Sequence, residues 1–264
     1  MRAIIFIPAR YASSRFSGKP LAMLAGATGE SKSLIQRSWE AAEAAKGIAE
    51  RYILTDSQKI ADAVREFGGH VLMTSATCRN GTERCAEAAA MLETPPELII
   101  NLQGDAPLTP PHYIEALLAE FEKDPSVRIA TPVLRTDTSH LAKLQNDRAE
   151  GRVGATTAVF DTNCDALYFS KEILPYYDNA PPDAVPVYHH IGCYAYRPED
   201  LSKYSSLPEG RLEMREGLEQ LRFLENGTKI RCVIVNADGR EFWELNNPTD
   251  ISVIEAILAK EGRP

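Results

Sequence analysis

The chain has 264 residues, 44% apolar and 25% charged, enough to bury a full core as one large domain or as a domain with a smaller lobe. A formal charge of −8 with no basic run argues against a duplex nucleic-acid binder, and any polyanion site must be a concentrated local patch of cations. No apolar run is long enough to span a membrane, no leader pattern opens the chain, and the five scattered cysteines contain no Cys-x-x-Cys pair, so the expectation is a cytoplasmic protein without a disulfide framework or structural zinc.

The first element is a short apolar strand, Ala3 to Ile7, followed by a loop that carries Arg10, Arg15 and Lys19 among small residues. Ser13, Ser14 and Gly18 allow close backbone approach, Arg grips phosphate oxygens bidentately and Lys adds a point charge. The loop reads either as a phosphate grip beyond a strand end or as a solvated basic turn. Gly26 to Ser33 resembles a P-loop but has Ser31 where the second glycine belongs and lies too far from the first strand, so it reads as a surface loop leading to a helix.

Helical spacing over Ser33 to Lys46 is followed by a strand at Arg51 to Thr55, a helix at Gln58 to Phe67 and a strand at Val71 to Thr74. A helix opens at Gly81-Thr82 and runs through Met91, then come a strand at Glu97 to Leu102, a helix at Pro110 to Lys123 and a strand at Arg128 to Val133. Such βαβ repetition implies a mostly parallel sheet. Beyond residue 145 the texture changes: strands at Val153 to Asp161, Ala166 to Ser170 and His190 to Arg197, a proline-rich loop at Pro175 to Pro186, a helix at Leu212 to Asn226, a strand at Ile230 to Val235 and a closing helix at Thr249 to Lys260. This half reads as antiparallel additions that cap one side of the sheet.

Several stretches carry chemistry. Asn80-Gly81-Thr82-Glu83-Arg84 offers free helix N-terminal amides and a cation to an anion or a base edge, or is simply a capped helix start. Asp105, in Asn101-Leu102-Gln103-Gly104-Asp105, stands at the mouth of a central strand, where a carboxylate can hold Mg²⁺ against substrate phosphates. His189-His190 has no zinc-spaced partner, so one imidazole is a substrate contact or a hydrogen-bonded strand histidine. No nucleophile elbow is present.

Taken together, Pro8 to Arg15 with Gly18-Lys19-Pro20-Leu21, Asn80 to Arg84, Asn101 to Asp105, Ala166 to Ser170, His190-Ile191-Gly192 and Leu218-Glu219-Gln220-Leu221-Arg222 resemble the 3-deoxy-manno-octulosonate cytidylyltransferases, in the family's order and across nearly the whole chain. The resemblance implies a Rossmann-like α/β nucleotidyltransferase fold with a mostly parallel central sheet and a smaller antiparallel lobe. It further implies one domain over 1–264, with about 150–210 serving sugar binding and dimerisation. The implied reaction joins CTP to a 2-keto-3-deoxy sugar acid for lipopolysaccharide biosynthesis, with Mg²⁺, in a homodimer. By the same resemblance Arg10, Ser13, Arg15, Lys19, Asn80, Gly81 and Arg84 bind nucleotide, while Gln103, His190, Tyr194, Glu219 and Gln220 bind the sugar acid. Arg10, Lys19 and Asp105 are the implied catalytic set, and Asp105 with Asn246 the metal set.

The sequence departs from the family at Asn246, where an aspartate is usual, at Thr157 for a lysine, at Lys171 for an arginine and at Ala106 for a glutamate, and Glu244 is placed to compensate for Asn246. These departures leave open the sugar, the metal count and two alternatives: a sialic-acid-type synthetase and a non-catalytic nucleotide binder.

Overall fold

The N-terminal apolar run becomes β1 (Ala3–Pro8), and its period-2 alternation divides the core in two. Ile5 and Ile7 face α1 (Leu34–Glu43), α2 (Gln58–Glu66) and α4 (Pro111–Lys123). Ile4 and Phe6 face the opposite cluster, which includes Cys85 and Ala88 of α3 (Gly81–Ala90). All four side chains are fully buried, each contributing roughly 1.5–3 kcal/mol over exposure. The computed structural model describes residues 1–12, 16–151, 155–176 and 187–264.

The hairpin β2 (Met23–Ala25) and β3 (Ser31–Ser33) stands apart as a small antiparallel sheet. Residues 26–30 form the surface loop the sequence suggests ahead of α1, while 31–33 form β3, a three-residue strand with no alternation to detect. β4 (Ile48–Thr55), β5 (Val71–Met73) and β6 (Leu98–Leu102) join β1 in the parallel order β5-β4-β1-β6. Ser33 caps α1 by accepting from Gln36 N at 3.3 Å, so the first helix starts where the sequence places it.

Beyond β7 (Ile129–Arg135) and α5 (Thr138–Ala149), the strands β8 (Thr156–Phe160), β9 (Ala166–Ser170), β10 (Tyr188–His190) and β11 (Cys193–Tyr196) extend the same sheet through antiparallel pairs. The expected single strand over 190–197 is two strands. Cys193 N donates to Ile191 O at 2.6 Å, a three-residue turn that kinks the chain between β10 and β11. One edge of this kinked ribbon follows β7 throughout; the other pairs with β6 along β11 and with β8 along β10. The sheet therefore forks at Ile191-Gly192.

After α6 (Pro198–Lys203), the expected helix over 212–226 is also divided, into α7 (Arg211–Glu216) and α8 (Leu221–Glu225). Gly217 between them has φ +64, the left-handed helix stop that glycine adopts without strain. β12 (Arg231–Val235) lies parallel to β7 on its remaining edge, and α9 (Asp250–Lys260) buries Ile254, Ile257 and Leu258 with Leu24, Leu34 and Leu245. That packing holds the 244–246 segment against the end of β6, where Leu245 N donates to Asp105 O at 2.9 Å. Val153 and most of the proline-rich loop fall outside the described residues.

Candidate active site

A cavity of about 270 Å³ opens at the fork, in the gap between the carboxyl end of β6 and the start of β8. Gln103, Asp105, His190, Gly192, Tyr194, Glu219, Gln220 and Asn246 all line it, so it gathers residues separated by 143 positions of sequence. The kink is what admits them. A Cβ at Gly192 would lie 3.0 Å from Glu244 Oε1, so a larger residue here would press on that carboxylate and glycine lets the ribbon pass beside it.

One end of the cavity is built on a carboxylate pair. Lys19 Nζ donates to Asp105 Oδ2 at 2.6 Å and to Leu245 O at 3.0 Å. The loop reaches that position because Gly18 N donates back to Tyr11 O at 2.9 Å, which closes it on itself. Burial pushes the carboxyl of Glu244 up to about 8, the charge of Asp105 adds to the rise, and Lys19 and a hydrogen bond from Asn246 oppose it. Asn246 N in turn donates to Asp250 Oδ2 at 2.8 Å, which fixes the strap.

This donor set suits a hard divalent cation: two carboxylates with mutual repulsion, next to an amide oxygen, are stabilised by a positive charge between them. Among the described residues no group of three or more His, Cys, Asp and Glu is arranged to hold a metal. Mg²⁺ here would take few protein ligands and complete its shell with phosphate and water, as it commonly does.

At the N-terminus of α3 the anticipated anion is present as a side chain. Glu219 accepts from Gly81 N at 3.4 Å, Thr82 N at 3.1 Å and Thr82 Oγ1 at 2.8 Å. Burial raises the Glu219 carboxyl, these donors and the charge of Arg10 counter it, and the net shift is upward. Asn80 caps the helix, accepting from Glu83 N at 2.8 Å and donating to Tyr204 Oη at 3.1 Å. Arg10 stays exposed, reaching Arg79 O at 3.4 Å. Arg84 turns inward instead, buried against Thr74 and 3.4 Å from Asp56, and does not line the cavity. Ser13 and Arg15 lie outside the described residues.

The remaining wall is polar and largely neutral. Gln220 is 4% exposed, and its Nε2 is buried without a hydrogen-bond partner, an unspent donor at the cavity. His190 is tied to Thr131, Nε2 to Oγ1 at 2.9 Å, and its ring packs 5.4 Å from that of Tyr194. Burial pushes the His190 imidazole down to about 3. Sequence reasoning missed Thr156 and Gly217 as lining residues, because nothing in a linear pattern reveals which strand faces turn into a fork. Lys171 stands nearby, its Nζ 3.2 Å from the point where a side chain at Gly217 would begin.

A cytidylyltransferase family model matches residues 4–230 of this chain. The 3-deoxy-manno-octulosonate cytidylyltransferase of Maricaulis maris is 42% identical over 262 residues, 99% of each chain. The 8-amino-3,8-dideoxy-manno-octulosonate cytidylyltransferase of Shewanella piezotolerans is 41% identical over 260 residues, 98% of this chain and 99% of that one. Among solved structures, a CMP:2-keto-3-deoxy-manno-octonic acid synthetase complexed with CTP superposes with a TM-score of 0.84 at 35% identity, over 99% of this chain and 100% of the other.

Proposed function

This chain belongs to the cytidylyltransferase family, and from that premise we propose that it transfers the cytidylyl group of CTP to 3-deoxy-manno-octulosonate or a close analogue, releasing pyrophosphate. The observation that carries the reading is the two-ended cavity, with the Lys19–Asp105 pair and Glu244 at one end and the unspent donor of Gln220 among neutral polar groups beside it. A sialic-acid-type substrate and a purely binding role are not favoured by relatives of this identity and coverage.

The anomeric hydroxyl of the sugar acid attacks the α-phosphorus in line. A sugar–oxygen–phosphorus bond forms, the bond from the α-phosphorus to its bridging oxygen breaks to release pyrophosphate, and the proton of the attacking hydroxyl passes to solvent water. With little covalent chemistry for the protein to do, its work is positioning and charge neutralisation. Arg10 and Lys19 hold the departing phosphates, with Ser13 and Arg15 in the same loop. Gly81 at the start of α3, capped by Asn80, supports the nucleotide, and Arg84 fixes that helix from within. Gln220, Gln103, Tyr194 and His190 orient the sugar, and Glu219 ties that wall to α3. Asp105 and Glu244, with the Asn246 amide oxygen, would hold Mg²⁺, which supplies charge neutralisation at the reacting phosphate when bound.

We also assign a homodimer, supported by the exposed Leu167 on β9, the last strand of the sheet, with Met214 on α7 also exposed. A monomeric mass in sedimentation equilibrium would remove that assignment. The catalytic reading is tested by pyrophosphate release. Turnover is expected with CTP, Mg²⁺ and 3-deoxy-manno-octulosonate and is expected to stop on chelation; no release from any 2-keto-3-deoxy sugar acid would overturn it.

A further inference from the structure

The kinked ribbon bends opposite a stretch of β7 that cannot pair with it in the ordinary way. Between the pair His190 with Val133 and the pair Ala195 with Ala130, the ribbon advances five residues and β7 only three, so two extra residues are accommodated opposite Thr131 and Pro132. Pro132 accepts from Ile191 N at 3.0 Å, so its backbone nitrogen faces the same edge, and as a proline it has no hydrogen to give there. The side chain of Thr131 supplies the missing donor. It is fully buried, and its hydroxyl oxygen lies 2.9 Å from His190 Nε2 before the kink, 3.2 Å from Ile191 O within it and 2.8 Å from Cys193 O after it.

One hydroxyl has one hydrogen, and that decides how the three contacts are made. A carbonyl oxygen only accepts. If the hydrogen went to Nε2, the threonine oxygen would face Cys193 O at 2.8 Å with lone pair against lone pair. With the hydrogen directed at Cys193 O, and shared with Ile191 O, the contact to the imidazole becomes a hydrogen bond when Nε2 carries the ring hydrogen and donates to Oγ1. Every close pair is then favourable.

The ring has only that one hydrogen to place. Burial keeps the His190 imidazole neutral at ordinary pH, and it packs against Phe169 at 4.9 Å and Tyr194 at 5.4 Å. A neutral ring whose hydrogen is committed to Thr131 has no donor left for a ligand, and its second nitrogen can only accept. At a wall of the cavity such a ring suits a hydroxyl of the sugar acid, which can donate to it, and does not suit a carboxylate or phosphate oxygen, which cannot.

We infer that Thr131 is a positioning residue for the sugar-acid side of the site: its hydroxyl pins the kink and holds His190 as the Nε2-protonated tautomer, so that the ring meets the sugar acid as an acceptor only. The inference rests on the proposed cytidylyl transfer, and its test separates the two because a tautomer is read without turnover. Ring-nitrogen NMR shifts are measured on the protein labelled at its five histidines, with the His190 signals identified by their loss in His190→Gln. The wild type near neutral pH is expected to show a protonated Nε2 and a bare Nδ1 at His190. Thr131→Val, which keeps the shape and removes the hydroxyl, is expected to raise the KM for 3-deoxy-manno-octulosonate about 3- to 10-fold, the size of one lost hydrogen bond, with the KM for CTP unmoved. Thr131→Ser, which keeps the hydroxyl, is expected to recover most of the loss.

A bare Nε2 with a protonated Nδ1 in the wild type overturns the inference without recourse to any variant. So does an octulosonate KM in Thr131→Val that rises less than about threefold, an equal rise in the KM for CTP, or a Thr131→Ser protein as impaired as Thr131→Val. Turnover by the wild type with any of these outcomes removes Thr131 alone; absence of turnover on every 2-keto-3-deoxy sugar acid removes the proposed transfer and with it the role toward the sugar, whatever tautomer is found.

Discussion

Asp105 is the residue on which one end of the cavity converges, bonded to Lys19 through its side chain and to Leu245 through its backbone, and its charge helps raise the carboxyl of Glu244. Replacing it with alanine is expected to lower kcat about 10²- to 10³-fold, the scale of a lost transition-state contact, with an unchanged circular dichroism spectrum. Near-normal kcat would remove it from the mechanism. The buried histidines set a different expectation. His189 and His190 sit at about 3 in the fold against 6.5 for the free side chain, so the unfolded chain binds more protons than the native one between those values. Stability is therefore complete above about pH 6.5 and falls as the pH drops towards 3. Urea midpoints measured across that window should decline, and less steeply in His190→Gln; a flat profile would contradict the buried neutral state. Asp105 was visible in the sequence because a carboxylate at a strand mouth is a local pattern. The surroundings of His189 and His190 were not, since telling two adjacent histidines apart requires knowing which strands flank them and that Thr131 bonds His190.

The turn between α7 and α8 presents the cavity-lining Glu219 and Gln220, and a buried ionic cluster fastens these helices to α3. Arg222 is 1% exposed and donates to Glu213 at 2.8 and 2.7 Å, to Glu209 at 3.1 Å and to Glu83 at 3.4 Å, over the ring of Tyr204 at 4.3 Å. The hydrogen bonds it donates to Glu213 hold the guanidinium well above its ordinary value. Arg222→Met leaves Glu213 and Glu83 buried without that cation, which is expected to cost about 3–5 kcal/mol, with Arg222→Lys losing less. Thermal melts give the size of the loss, and a change under about 1 kcal/mol would mean the cluster is not held as described. From the sequence 212–226 reads as one helix, because helical periodicity tolerates a single glycine. The left-handed turn at Gly217 redirects the chain, sending Leu221 and Arg222 into the core. Helix α5 went unread for the opposite reason: only Leu141 and Leu144 of its twelve residues are buried, too few to mark a periodic face.

At the scale of the molecule, the alternation of apolar strands and helices made the parallel half legible, since β1, β6 and the last three residues of β4 are buried runs next to recognisable helices. The antiparallel half could be recognised by texture but not by pairing, because which strand lies beside which depends on contacts far apart in sequence, such as Thr156 with His190 and Leu102 with Cys193. Those two pairings create the fork, and the fork bears on how the protein melts. Its two prongs are joined through one unbroken strand, β7, and through the kinked ribbon itself, so neither half can lose its order and leave the other with a complete hydrogen-bonded edge. Heating should therefore give one calorimetric transition with van't Hoff and calorimetric enthalpies in agreement, and CTP, although it touches one cavity, should shift that whole transition upward. Two resolved peaks would mean that the cleft is a seam between independent halves, whereas a single peak marks it as a gap within one cooperative sheet.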